Sequence, residues 1–218
     1  MTDYNHNPVR PRITDDASFA GLVKVPNEVI WTADSKILYV GSDPVGGVPD
    51  GDKGDITVSG SGATWKDNFR NLGLAATVSS KALTVAIKGA DGSNPSATNP
   101  VRIIFRDETL ATGTPNIRSV TGALSVVLAS GGTLGFTSAE AGRLYVWAID
   151  NAGTVELALS RTADIFPESN LVSTTAIGSG SDSAAVMYST SARTNVACRC
   201  IGYIEITTGA VAGEWDNA

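Results

Sequence analysis

Residues able to do chemistry are few in this chain and poorly spaced for it. There is one histidine, His6, in a polar and aperiodic leading stretch, so a Ser/His/Asp or Cys/His arrangement has no well-placed base. The two cysteines, Cys198 and Cys200, lie two apart. On a strand they face one side, with Cβ atoms too far apart for an easy bridge. They read as small buried hydrophobes, because a metal or redox site needs further ligands and none sits nearby. The carboxylates Asp91, Asp107, Glu108, Asp150, Glu156, Asp164 and Glu168 form no convincing pair in the sequence, whereas a glycosidase needs two that face each other. No Gly-x-x-x-x-Gly-Lys-Ser/Thr run occurs, which excludes a P-loop. The loop 89–99, with Asp91, Asn94 and Asn99, offers oxygen ligands of the kind Ca²⁺ takes, but without the spacing of a calcium loop. A solvated turn is the simpler reading. No catalytic residue, cofactor site or metal site is expected, and the chain reads as a non-enzyme.

Aromatic side chains are the remaining candidates, for contact rather than turnover. Trp147 stands in an apolar strand and reads as core. Trp65 and Trp215 stand in polar stretches, which makes them the better candidates for a contact surface toward a subunit or a glycan. The five tyrosines would stack on sugar rings wherever they are exposed.

The elements that hold these residues read as strands. Leu83, Val85 and Ile87 alternate with Ala82, Thr84 and Ala86, the period of a half-buried strand. Segments 101–105, 123–129, 186–189 and 196–206 continue the set, and Thr137 or Ser138 would cap one helical turn at 138–141. The clearest hairpin joins 143–149 to 154–159 through Asp150-Asn151-Ala152-Gly153, a sequence suited to positive φ. Leu144, Val146 and Ala148 share one face of its first strand, and Tyr145, Trp147 and Ile149 share the other. Both faces are apolar, which calls for cover on both sides by a second sheet or a neighbouring subunit.

Upstream, 1–17 reads as an extended arm. Residues 18–50 read as a small β-module, with strands at 21–25, 28–32 and 37–40 and an end at Gly41-Ser42-Asp43-Pro44. Residues 51–78 read as a Gly-rich connector. Its Gly51 and Gly54 keep the spacing of a collagen triplet, but two triplets are too few for that helix. The fold expected is all-β: the small N-terminal β-module followed by an antiparallel β-sandwich over 79–218.

Charge and hydropathy exclude some partners. Of the 218 residues, 42% are hydrophobic and 17% charged, and the net charge is −6. An acidic chain lacks the electrostatic footprint of a duplex-binding protein. No apolar run approaches a membrane span, and the polar first residues show no signal-peptide pattern.

Three stretches carry a family resemblance. Trp31-Thr32-Ala33-Asp34-Ser35-Lys36-Ile37-Leu38-Tyr39-Val40-Gly41, with Gly46-Gly47 after it, resembles the short N-terminal β-module of phage tail-fibre and tropism-determinant proteins; Ser42-Asp43 replaces the usual Asp-Gly. Gly51-Asp52-Lys53-Gly54-Asp55-Ile56-Thr57-Val58-Ser59 is similar to a connector of phage fibre proteins. From Leu83 to Trp215 the chain resembles a C-terminal domain of phage virion proteins, through Lys88-Gly89-Ala90-Asp91-Gly92, the run from Tyr145 to Leu159, the run from Tyr188 to Asn195, and Ile201-Gly202-Tyr203. The resemblance implies a virion location after synthesis in a host cytoplasm, β-rich modules and a homotrimer, and it supplies no catalytic residue. A tail fibre, spike or tail-associated protein is the first expectation. A head-decoration or head-fibre protein and a host-glycan-binding module are the alternatives. The expected partners are sister chains, tail, neck or capsid proteins and a host surface glycan, with no nucleic acid and no membrane.

Overall fold

A computed structural model of the chain describes residues 71–106 and 115–218 with their side chains, and seven earlier strands by their backbone. The chain divides into two compact units, Met1–Asn68 and Phe69–Ala218. Among the described residues every regular element is a strand, so the all-β expectation holds. Among the same residues no helix is long and apolar enough to cross a membrane.

The first unit holds two small sheets. One is a four-stranded sheet of β1 (Arg12–Thr14), β2 (Val29–Thr32), β3 (Ile37–Val40) and β4 (Asp43–Val45), in that order. β1 runs parallel to β2, and the other pairs are antiparallel. The expected arm thus contains a strand, and the expected end at Asp43-Pro44 turns back to form one. Pro44 cannot donate to a ladder, and β4 is an edge strand, where a proline is tolerated. The strand expected at 21–25 lies outside the described residues. The supposed connector is largely a meander of β5 (Gly51–Asp52), β6 (Ile56–Ser59) and β7 (Thr64–Asp67). The two units meet between Asn68 and Phe69 rather than near residue 78, because β8 (Gly73–Ser79) pairs along its whole length with β9 (Ala82–Lys88).

In the second unit five strands close on themselves. β13 (Ala141–Asn151) pairs with β14 (Thr154–Ser160), β14 with β16 (Tyr188–Ser189), β16 with β15 (Val172–Ala176), β15 with β17 (Arg193–Thr208), and β17 with β13. This is a small barrel rather than an open sheet, and its β15–β16 seam is parallel. Trp147, Ile149, Ala158, Val172, Met187, Val196 and Cys198 form one buried cluster, carried by the ring strands and by Met187 beside β16, with Phe166 and Ala163 packed against it. The ring is filled by side chains, as small barrels are. β18 (Trp215–Asn217) hangs on β17 outside the ring.

The outer wall of the ring builds a second, larger core. Leu144, Val146, Ala148, Leu157, Leu159 and Ala197 pack with Leu83, Val85 and Ile87 of β9, Val126 and Leu128 of β12 (Ser125–Leu128), and Val101, Ile103 and Phe105 of β10 (Val101–Phe105). β12-β9-β8 is a three-stranded sheet, and β10 pairs with β11 (Asn116–Val120). Both faces of β13 from Trp147 to Asp150 are therefore buried within one chain.

Turn chemistry sets the hairpin registers. Ala152 and Gly153, with φ of 49° and 95°, make the two-residue turn of β13–β14, the conformation whose twist suits a hairpin. Asp150 is buried beneath it. One carboxylate oxygen accepts from the Gly153 N–H at 2.8 Å and the other from Arg118 Nε at 2.8 Å. The helical turn expected at 138–141 is absent. Ala139 has φ of 54° and β13 starts at Ala141, so the chain turns instead, with Glu140 Oε2 accepting from both N and Oγ1 of Thr137 at 2.7 and 2.9 Å.

Candidate contact surface

β13 and β17 are longer than the barrel needs: from Ala141 to Leu144 β13 has no β14 partner and pairs with β17 as a ribbon, edged by β18. The change happens at a β-bulge. Val146 pairs with Gly202 and Trp147 with Cys200, leaving Ile201 as the extra residue on β17. An extra residue reverses which positions face the core, because side chains alternate with period two. Before the bulge, Ala197 and Ile201 pack on the larger core; after it, Ile204 and Ile206 do. Gly202 has φ of 150°, and a Cβ there would stand 2.9 Å from Leu74 Cδ1. Gly142, paired with Ile206, leaves room for Phe136 in the same way, since a Cβ would meet its ring at 2.6 Å. Leu74 and Phe136 thereby press the ribbon's inner face onto the core.

The opposite face has no such cover. Its successive cross-strand pairs are Ala141 with Thr207, Arg143 with Glu205, and Tyr145 with Tyr203. Tyr203 is 49% exposed. Its ring centroid lies 6.3 Å from that of Tyr145, and the Arg143 guanidinium stands over it at 4.7 Å. Arg143 and Glu205 form an exposed pair at 3.6 Å, which at the surface contributes little to stability. Two depressions adjoin the tyrosines. One, of about 430 Å³, is lined by Arg143, Glu205, Thr207 and Asn217 among others. The other, of about 450 Å³, is lined by Tyr145, Arg161, Thr162, Ala163 and Asp164.

The second depression lies at the barrel mouth, and its walls are fixed from beneath. Trp147 Nε1 donates to Ser160 Oγ at 2.8 Å, Ser160 Oγ donates to the Thr162 carbonyl at 2.5 Å, and Thr162 Oγ1 donates to the Ala184 carbonyl at 3.0 Å. Phe166 meets Trp147 edge to face at 5.9 Å. Arg161 lies over the Phe136 ring at 4.4 Å, binds the Gly135 carbonyl and pairs with Glu140 at 2.7 Å. The Thr137 N–H and hydroxyl, aided by Arg161, hold the Glu140 carboxyl below its usual range. Asp164, on the rim, carries no such clamp.

The residues singled out from sequence lie elsewhere. Trp215 is 0% exposed, packed edge to face on Phe136 at 6.0 Å within the larger core, so it offers no contact surface. The polar run around it misleads because β18 folds its one large side chain inward. Trp65 lies on β7 opposite Val58, and its side chain is outside the described residues. Trp147 is core, as its strand neighbours imply. Tyr145 and Tyr203, which the sequence reading did not single out, are the pair that meets on the open face. The signal available was Arg-x-Tyr at 143–145 facing Tyr-x-Glu at 203–205.

The other candidates for chemistry are internally satisfied. Asp91 Oδ1 accepts from the Ser93 N–H and hydroxyl at 3.0 and 2.7 Å, and its Oδ2 accepts from Asn99 Nδ2 at 3.1 Å. Asn94 instead accepts from Lys88 at 2.6 Å. The loop is a closed polar network, and among the described residues no cluster of His, Cys, Asp and Glu is arranged to hold a metal ion. Glu156 is gripped by Arg193 at 2.8 and 2.6 Å and by Asn151 at 2.9 Å. Glu168 accepts from the Cys200 N–H at 2.7 Å. Asp107 and Glu108 lie outside the described residues. Both thiols are free. Burial pushes Cys198 up to about 12, and burial also raises Cys200, so neither is an activated nucleophile.

On the open face of the ribbon Tyr203 is exposed and Tyr145 half-buried beside it. No protein-family model, no curated protein and no solved structure matches this chain.

Proposed function

We propose that this protein is a structural, adhesive component of a tailed-bacteriophage particle, a tail fibre or spike that assembles as a homotrimer and works by contact rather than by turnover. The first unit attaches to the particle and the barrel unit presents the contact face. The observation that carries this reading is the outer face of the β13–β17 ribbon, where Tyr203 is held half-exposed beside Tyr145 and Arg143. The resemblance of 31–41, 51–59 and the long stretch from 83 to phage fibre and virion proteins supports the location. The trimer rests on that resemblance.

Immunogold labelling of particles from the strain that encodes the chain tests the location, using antibody raised against Phe69–Ala218. Gold at the tail or its fibres is the expected result. Gold confined to the head, or none on intact particles, overturns the fibre reading. Light scattering of the purified chain should give the mass of three copies, and a monomer overturns the trimer.

A further inference from the structure

We infer that residues 163–170 form a lid over one mouth of the ring, latched by Glu168, which opens without unfolding the barrel and uncovers the cluster around Trp147 and Cys198. The device is independent of where the chain sits in a particle.

Connectivity puts the segment there. β14 ends at Ser160 and β15 begins at Val172, yet the two are not neighbours in the ring, because β16 lies between them. The connection 161–171 therefore passes over an intervening strand. Phe166 carries it further, onto the Trp147 ring of β13, edge to face at 5.9 Å. Ala163 packs on the same cluster. Asp164, Ile165, Pro167, Ser169 and Asn170 are exposed, so the segment has an apolar underside and a wet top.

Its base is fixed and its far part is held locally. Arg161 is bound to the Gly135 carbonyl and to Glu140, and Thr162 Oγ1 to the Ala184 carbonyl. Beyond Thr162 the backbone joins no ladder. It makes two turns, with the Phe166 N–H donating to the Ala163 carbonyl at 3.2 Å and the Asn170 N–H to the Pro167 carbonyl at 3.0 Å. A segment with few buried apolar contacts and only local backbone bonds opens at a smaller free energy than the strands beneath it.

Glu168 supplies the latch. β15 pairs with β17 at Val196 and Arg193. Further along β17 the Cys200 N–H donates to Glu168 Oε1 at 2.7 Å instead, and Glu168 Oε2 stands 3.7 Å from Arg199 Nε. Arg106 adds a bond from its guanidinium to the Ser169 carbonyl. One carboxylate thus serves an amide that a neighbouring strand would serve elsewhere, and a backbone donor needs such an acceptor. The Glu168 and Arg199 side chains are 40% and 50% exposed, so water replaces both groups when the lid lifts, and the polar part of the latch weighs little more than one bond. The apolar part is Phe166.

The test uses both thiols of the full chain as reporters, since Cys198 lies in the cluster and Cys200 against it. N-ethylmaleimide is added in urea below the unfolding transition, and peptide mapping separates the two sites, because Arg199 stands between them. Wild type should label at both cysteines at rates that rise only slightly with urea, the mark of an opening that exposes little surface. Glu168→Ala should label about tenfold faster and keep that shallow dependence, whereas Glu168→Gln, which still accepts from the Cys200 N–H, should gain about twofold. Hydrogen exchange on wild type gives a second reading: the Cys200 amide should exchange well before the β13 amides of 147–150. Labelling that climbs with urea as steeply as global unfolding, labelling indifferent to Glu168→Ala, or a Cys200 amide that exchanges together with those of β13 each overturns the inference.

Discussion

The same two strands behave differently on either side of one residue. In the barrel, residues 147–150 of β13 and 196–198 of β17 are buried, facing the cluster of Met187, Val172 and Phe166 on one side and the larger core on the other. In the ribbon, 141–144 and 203–207 are covered on the inner side, and Tyr203 and Arg143 stand in the open. Strand propensity does not distinguish the halves, since both are rich in β-branched and aromatic residues. The difference is made by the Ile201 bulge, which resets the alternation so that aliphatic side chains still point inward where the ring has ended. A barrel with a presenting face thus needs one insertion rather than a separate domain.

Substitutions on the two halves should therefore have unequal costs. The largest effect is expected for Trp147→Ala, which empties the centre of the ring and removes the indole N–H that Ser160 Oγ accepts. It should cost about 3–5 kcal/mol in denaturant unfolding, whereas Tyr203→Ala should cost under about 0.5 kcal/mol, as surface changes do. Equal losses would mean that the ribbon is as essential to the fold as the ring. Next comes Gly202→Ala, which brings a Cβ to 2.9 Å from Leu74 at a positive φ. A loss of about 1–3 kcal/mol is expected, with the ribbon amides from 202 onward losing more exchange protection than those at 194–200. Uniform loss across β17 would contradict a bulge that divides it.

Acid should weaken the barrel at Glu156. The Arg193 guanidinium, with Asn151, holds the Glu156 carboxyl below its ordinary value of 4.5. A lowered carboxyl stabilises the fold above the unfolded value, and that contribution disappears as pH falls through the folded value. Wild type should thus outlast Glu156→Gln at neutral pH and approach it in acid. Parallel profiles for wild type and Glu156→Gln would remove Glu156 from the account. The smallest effect is expected at the β8–β9 turn, where Ser80 and Lys81 take φ of 50° and 64° although hairpins of this type favour Asn and Gly. Ser80→Asn should gain about 0.5 kcal/mol, visible as a small rise in melting temperature, and a fall would show that Ser80 does more than turn the chain.

What could be read from sequence followed local signals. The alternation of Leu83, Val85 and Ile87 and the hairpin across Asp150–Gly153 are each written in adjacent residues, and the structure keeps both. β8 went unread because Gly73-Leu74-Ala75-Ala76 carries weak strand propensity, and β11, β15 and β18 because five residues or fewer between loops leave too short a run of alternation to read. Ring closure is non-local in the same sense. It depends on two-residue β16 lying parallel to β15, and nothing in Tyr188-Ser189 announces a partner at Thr175-Ala176. Trp215 was misplaced because polar neighbours suggest a surface, while β18 needs just one inward side chain. The open face was missed because the bulge hides in an apolar run from Cys198 to Ile206, where Tyr203 looks like one more core residue.

The seam at β16 has a consequence of its own. It holds two rungs to each neighbour, so breathing of the ring starts there rather than at the long β13–β17 seam. Directly behind it lies Met187, fully enclosed and one of two methionines in the chain. A thioether takes up oxygen from peroxide once it is reached and becomes polar, which would keep the ring from shutting again. Each opening is thus at risk of leaving a permanent mark, and the sulfoxide at Met187 would act as the molecule's own tally of wear.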